Sequence, residues 1–171
     1  EYAFFLAQRL GMEKDFCDEI RYSAQLHDVG KLSVDQGILN KNGELTLEER
    51  QQMDQHPIFG FQILSHSHRL KLAAEIALFH HEKWDGSGYP YGVKGEEIPI
   101  SARIVSLADT YDALRAERSY KPAYSHDQTV DVMINGDKRI DPSGHFDPGL
   151  IEIFSRYHQG FDKIWREFLD T

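Results

Sequence analysis

Apolar residues recur along this chain at intervals of three and four, and no stretch of useful length alternates apolar with polar. That period marks helices with one buried stripe, so the expected class is all-α. Tyr2, Phe5, Leu6 and Leu10 form the first stripe, with Gly11 as its stop. Phe16, Ile20 and Ala24, joined by Tyr22 and Leu26, form a second helix from Asp15 to His27 that ends near Gly30. Asn40 to Gly43 is a turn, and Thr46 to Glu49 is a capping box that opens the next helix. That helix is expected to halt near Pro57, because the residue before a proline disfavours helical geometry, which leaves His56 at a helix C-terminus.

Ile58, Phe61 and Leu64 mark a further helix, after which His66 and His68 read as surface residues. The segment Leu72 to Phe79 has helical spacing, and His80 shares its face with Ala73, Ile76 and Ala77, hence points inward. From Trp84 to Glu97 glycines and Pro90 break any regular element, leaving a long loop that carries Trp84, Tyr89 and Tyr91. Pro99 suits the start of a helix whose stripe is Ile104, Leu107, Ala108, Tyr111 and Leu114, with Asp109 and Asp112 on an adjoining face. Arg115 to Lys121 forms a cationic cluster, and Ser125 to Gln128 is a second capping box. A polar run from Asn135 to His145 reads as loop. Leu150, Ile153, Phe154 and Tyr157, then Phe161, Ile164, Trp165 and Phe168, give two closing helices.

At 171 residues the chain fits one domain, and no window approaches the roughly 18 apolar residues of a membrane span. Its single cysteine, Cys17, excludes a disulfide scaffold and cysteine-rich zinc sites, so a reducing compartment is expected. Nine histidines are then the available borderline ligands. A formal charge of −9 argues against a nucleic-acid polymer as partner, but a small phosphate ligand needs only a local basic patch.

Each histidine, taken alone, reads as a helix-terminal or satisfied core residue. Their number and kind say more, since His27, Asp28, His56, His80, His81 and Asp109 all fall at helix ends or inner faces. Six imidazoles and carboxylates without thiolate are enough for two cations and suit iron, manganese, nickel or zinc. A carboxylate such as Asp109, beside an apolar stripe, also needs a partner or a metal.

The motifs His27-Asp28-Val29-Gly30-Lys31, His56-Pro57, His80 to Pro90, Ile98-Pro99, Arg103 to Val105, and Ala108 to Leu114 follow one another along the chain. Arg118 to Lys121 and Phe146-Asp147-Pro148 extend the series. In this the sequence resembles the HD-GYP phosphodiesterases of bacterial cyclic di-GMP signalling. The resemblance implies one HD-GYP domain over residues 1–171, an HD-type helical bundle with a long glycine-rich loop and additional C-terminal helices. It implies two or three divalent metals, iron or manganese before zinc or nickel. By analogy His27 and Asp28 bind metal with Asp28 bridging, His56, His80 and His81 serve a second ion, and Asp109 returns to the first. Lys31 and Asp28 would be catalytic; Lys31, Tyr89, Asp112, Arg118 and Lys121 would bind substrate; Asp85, Gly86, Gly88, Tyr89 and Pro90 are the loop signature. The expected reaction is hydrolysis of cyclic di-GMP to pGpG, with GMP as a further product, by a water that the metals make acidic.

The chain opens mid-helix with no capping residue before Glu1, which reads as a domain cut from a longer polypeptide within its first helix. Family members suggest an upstream sensory or receiver domain, a cyclase-domain partner at the Tyr89 loop, and a cytoplasmic domain whose full protein could be membrane-anchored upstream. A competing reading is a weak or inactive module that binds cyclic di-GMP or a signalling partner.

Overall fold

The computed structural model describes residues 1–117 and 123–169, and every regular element among them is helical. In chain order these are α1 (Tyr2–Arg9), α2 (Lys14–Ser23), α3 (Gln36–Leu39), α4 (Leu47–Met53), α5 (His56–Leu64), α6 (Lys71–Phe79), α7 (Ile100–Arg115), α8 (His126–Asn135), α9 (Pro142–His145) and α10 (Pro148–Leu169). Among the described residues no helix is long and apolar enough to cross a membrane. The capping boxes at Thr46 and Ser125 form as expected: each hydroxyl accepts from a backbone N–H three residues on, and that residue's side chain returns to the cap.

Three expectations about boundaries are corrected. His56 opens α5 rather than closing α4, because Pro57 falls in the first turn, where its missing N–H removes no helical hydrogen bond. The segment ending at His27 leaves α-helical geometry after Ser23 and continues as tighter three-residue turns over Ala24–Leu26 and Val29–Ser33. The two closing helices are one continuous α10, and Gly160 in its middle is occupied from outside by the Phe5 ring of α1, where any Cβ would collide.

The main core lies where α1, α7, α8 and α10 meet. Phe154, Phe161, Tyr111, Leu107 and Leu6 are fully buried there, and burial of each large side chain contributes about 1.5–3 kcal/mol. Tyr2 stacks on Phe161, which meets Tyr111 and Phe154 edge-on. A smaller cluster of Leu64, Ala73, Ala74 and Ala77 joins α5 to α6. Small residues let these backbones approach closely: a Cβ on Gly60 would sit 3.1 Å from that of Ala77. The same tightness draws the turn after Asp28 against α5, and so positions the site described below.

A polar chain crosses the main core. Arg115 donates to the Tyr111 hydroxyl and to Asp162, both at 2.9 Å; Tyr111 lies 2.8 Å from His126 Nδ1, and His126 Nε2 is 2.8 Å from His158 Nδ1. Burial holds the His126 pKa below its ordinary value of 6.5, helped by His158 and Arg115 against Asp162. A histidine buried neutral must charge as the medium becomes acidic, so its contribution to stability is present above about 6.5 and is lost as pH falls from there. Thermal unfolding midpoints of wild type should therefore drop between pH 7.5 and 5.5 (roughly one unit either side of the ordinary histidine pKa), and drop less in His126→Gln. Equal drops in both would show that this network does not titrate.

Candidate metal centre

Chain segments far apart in sequence converge on one point. His27 and Asp28 come from the tight turns after α2, His56 is the first residue of α5, His80 and His81 follow α6 directly, and Asp109 lies midway along α7. Backbone carbonyls orient three of the rings: His27 Nδ1 lies 2.8 Å from Ala24 O, His56 Nδ1 2.8 Å from Met53 O, and His80 Nδ1 3.1 and 3.0 Å from the carbonyls of Ile76 and Ala77. A carbonyl can only accept, so each Nδ1 carries a proton and each Nε2 is turned toward the shared centre.

There His56 Nε2 and His80 Nε2 stand 3.3 and 3.7 Å from Asp28 Oδ1, while His27 Nε2 stands 3.4 Å from Asp28 Oδ2 and 3.5 Å from Asp109 Oδ1. His81 Nε2 is 3.1 Å from His56 Nε2. Donor atoms of Asp28, His56, His80 and His81 all lie within 4.8 Å of one another. Asp28 thus turns one oxygen to His56 and His80 and the other to His27 and Lys31, the disposition a bridging carboxylate needs.

These residues fit a divalent cation. Among the described residues, buried Asp28 Oδ1 and His80 Nε2 have no hydrogen-bond partner, whereas buried polar atoms are almost always satisfied. Two imidazole nitrogens 3.1 Å apart also need a proton or a cation between them. Imidazole with carboxylate is a donor set for first-row divalent metals and does not select one of them.

Charge follows the same geometry. For Asp28, burial would raise the pKa, but His27, His56, His80 and Lys31 outweigh it and hold the carboxylate ionised. Burial would lower the His27 pKa, yet Asp109 and Asp28 push it up to about 10. His81 is driven the other way, to about 2, by burial and by the neighbouring imidazoles of His80 and His56.

The glycine-rich loop is built onto this centre. Buried Glu82 accepts from the backbone N–H groups of Tyr91 and Gly92, at 2.7 and 3.1 Å, and so folds the loop back over the two histidines. Gly88 is required by close approach, since a Cβ would strike the backbone of His81, Glu82 and Lys83. The Tyr89 ring consequently stacks on His81 at 4.7 Å. The peptide before Pro90 is cis, Gly86 has φ +85°, and Asp85 accepts from the Ser87 N–H at 2.7 Å. Trp84 and Asp85 in turn donate their backbone N–H groups to the carbonyls of His145 and Gly144. Asp147 pairs with Arg103, whose guanidinium lies over Trp84.

All six expected ligand positions therefore lie in one cluster, with Lys31 bonded to Asp28 and Tyr89 at its edge. Asp112 lines a second cleft, together with His27 and Asp109. Arg118 and Lys121 lie outside the described residues. His66 and His68 are exposed, as expected. Sequence reasoning missed Glu82 as the loop's anchor, and also missed Lys83, Arg139 and His145, which line a cleft of roughly 310 Å³ with His80, His81, Tyr89 and Asp109. An acid set directly after a histidine pair was the available signal for Glu82; nothing local marked the others.

Comparison with known proteins identifies a family for the chain. A family model described as HD domain matches residues 1–144. A cyclic di-GMP phosphodiesterase of Thermotoga maritima is 52% identical over 167 residues, covering 96% of this chain and 44% of that protein. A 3'3'-cGAMP-specific phosphodiesterase 2 of Vibrio cholerae is 40% identical over 170 residues, covering 98% of this chain and 30% of that protein. The chain thus spans less than half the length of either relative. A crystal structure of a cyclic GMP-AMP specific phosphodiesterase of V. cholerae superposes with a TM-score of 0.67 at 17% identity, over 92% of this chain and 42% of that one, and so shares the fold. With that model matching most of its length, the chain belongs to the HD domain family.

Proposed function

We propose that this chain is a metal-dependent phosphodiesterase that hydrolyses cyclic di-GMP to pGpG. The observation that carries the reading is the convergence of His27, Asp28, His56, His80, His81 and Asp109 with their donor atoms facing inward beside the Tyr89 loop. Thermotoga and Vibrio relatives named for cyclic di-GMP hydrolysis support the substrate. Iron or manganese is the proposed metal, and those six residues would hold it. Such ions, when bound, polarise the phosphate and acidify water.

The chain's own groups do the rest. Lys31, held against Asp28, places an ammonium where it can donate to a non-bridging phosphate oxygen. Burial raises the Tyr89 pKa, so its hydroxyl stays protonated and able to donate. Glu82 keeps the loop closed over His81, which keeps bulk water from that side of the centre. Arg118 and Lys121 are proposed to meet the substrate's phosphates, as the resemblance implies.

A second reading, 3'3'-cGAMP as substrate, has the support of the 40% identical Vibrio relative. Product analysis after anaerobic loading with iron or manganese separates the two. Conversion of cyclic di-GMP to pGpG in preference to 3'3'-cGAMP is expected. Hydrolysis of bis(p-nitrophenyl) phosphate with both cyclic dinucleotides left intact would overturn the proposal.

A further inference from the structure

The polar run between α8 and α10 does more than connect them. Asp137 Oδ1 accepts from the backbone N–H groups of Arg139 and Ile140 at 2.7 and 2.8 Å, and the Asp137 N–H returns to Ile140 O at 2.9 Å. Gly136 makes the turn possible with φ +85°, a position where a Cβ would also strike Ile140 O and Pro142. Ile140 is packed against the main core, and the far end of the run is bonded through Gly144 and His145 to the backbone of Trp84 and Asp85. A run that looks like unstructured polar sequence is therefore fixed at three points, one of them the glycine-rich loop itself.

What this fixed turn presents is Arg139. It lines the same cleft as His80, His81, Tyr89 and Asp109, together with Ile140, His145 and Lys83. Among the described residues its guanidinium has one loose partner, Asp137 at 3.5 Å, and its side chain is 59% exposed. In a chain of net charge −9, an arginine and a lysine lining the same cleft as three of the candidate metal-centre residues make a local concentration of positive charge. A guanidinium is a planar fork that matches a phosphodiester's two free oxygens.

We propose that Arg139 binds the second phosphodiester of a cyclic dinucleotide, the one away from the metals, and that Asp137 is the positioning residue that aims it. This rests on the cyclic-dinucleotide reading above. A substrate with two phosphates must place one beyond the centre when the other is being cut, and the cleft from His81 to Arg139 is continuous with that centre.

The test is equilibrium binding, by calorimetry, of the bis-phosphorothioate analogues of cyclic di-GMP and 3'3'-cGAMP to the manganese-loaded chain. Arg139→Ala should raise Kd roughly tenfold for both analogues, the scale of one exposed charge-assisted hydrogen bond. Arg139→Lys should recover part of the loss, and Asp137→Ala should weaken binding in the same sense while the metal content stays at the wild-type level. Unchanged Kd in Arg139→Ala, with wild type binding and cleaving cyclic di-GMP, overturns the role of Arg139 and leaves the proposed function standing. A loss confined to cyclic di-GMP would assign the guanidinium to a base and also overturn it. Wild type that neither binds the analogues nor cleaves the parent nucleotides sinks the proposed function and this inference together.

Discussion

His80→Ala is expected to remove bound metal from the chain and with it the hydrolysis of any phosphodiester. The His80 ring is 1% exposed, held by two carbonyls through Nδ1, and its Nε2 points at Asp28 with no hydrogen-bond partner. No neighbour can replace it, because His81 and His56 already face each other at 3.1 Å. Loss of a group that merely orients a ligand costs about 10–100-fold in metal affinity, so loss of a ligand itself should cost at least about 100-fold. Elemental analysis of the purified variant reads this directly. His66→Ala, at an exposed histidine only two helical segments away, should keep the wild-type metal content. A His80→Ala chain that retains metal at the wild-type ratio would show that His80 is not a ligand of the bound ion.

Much of this arrangement is legible in the sequence. Inward placement of His80 followed from its face partners Ala73, Ile76 and Ala77, which are all fully buried. The capping boxes needed only local hydrogen-bond geometry, and both formed. Boundaries failed where a second segment decides. Pro57 is compatible with either the end or the start of a helix, and only the packing of α5 on α6 selects the start. The two closing stripes belong to one helix, in which the Phe5 ring fills the space beside Gly160.

The site divides the same way. Donor identities were readable from His27, Asp28, His56, His80, His81 and Asp109, because their chemistry resides in the side chain. Their convergence was not, since it depends on Gly30, Gly60 and Ala77 admitting three backbones to one place. Glu82 and Arg139 acquire their roles from backbone N–H groups ten residues or fewer away in one case and from a folded polar turn in the other. Neither leaves a periodic trace.

Gly30→Ala should be strongly destabilising, although Gly30 is neither a ligand nor in the left-handed region of backbone space. An added Cβ would overlap the His56 carbonyl oxygen and the Gly60 nitrogen, the pair that closes the first turn of α5. Both are backbone atoms, so no rotamer change can relieve the clash, and α5 must move away from the turn that carries Asp28. Overpacking with no route for relief costs about 3 kcal/mol or more. In a chain of this size that corresponds to a fall of roughly 6–12 °C in Tm. Because α5 begins at His56, the same displacement pulls that imidazole from His81 and Asp28, and metal content should fall with stability. Gly11→Ala supplies the contrast: Gly11 has φ +73° but open space around it, so only backbone strain of about 1–2 kcal/mol applies and the metal content should not change. If Gly30→Ala melts within about 2 °C of wild type, a shift worth about 1 kcal/mol or less, and keeps its metal, then the close approach of the Asp28 turn to α5 is not what assembles the centre.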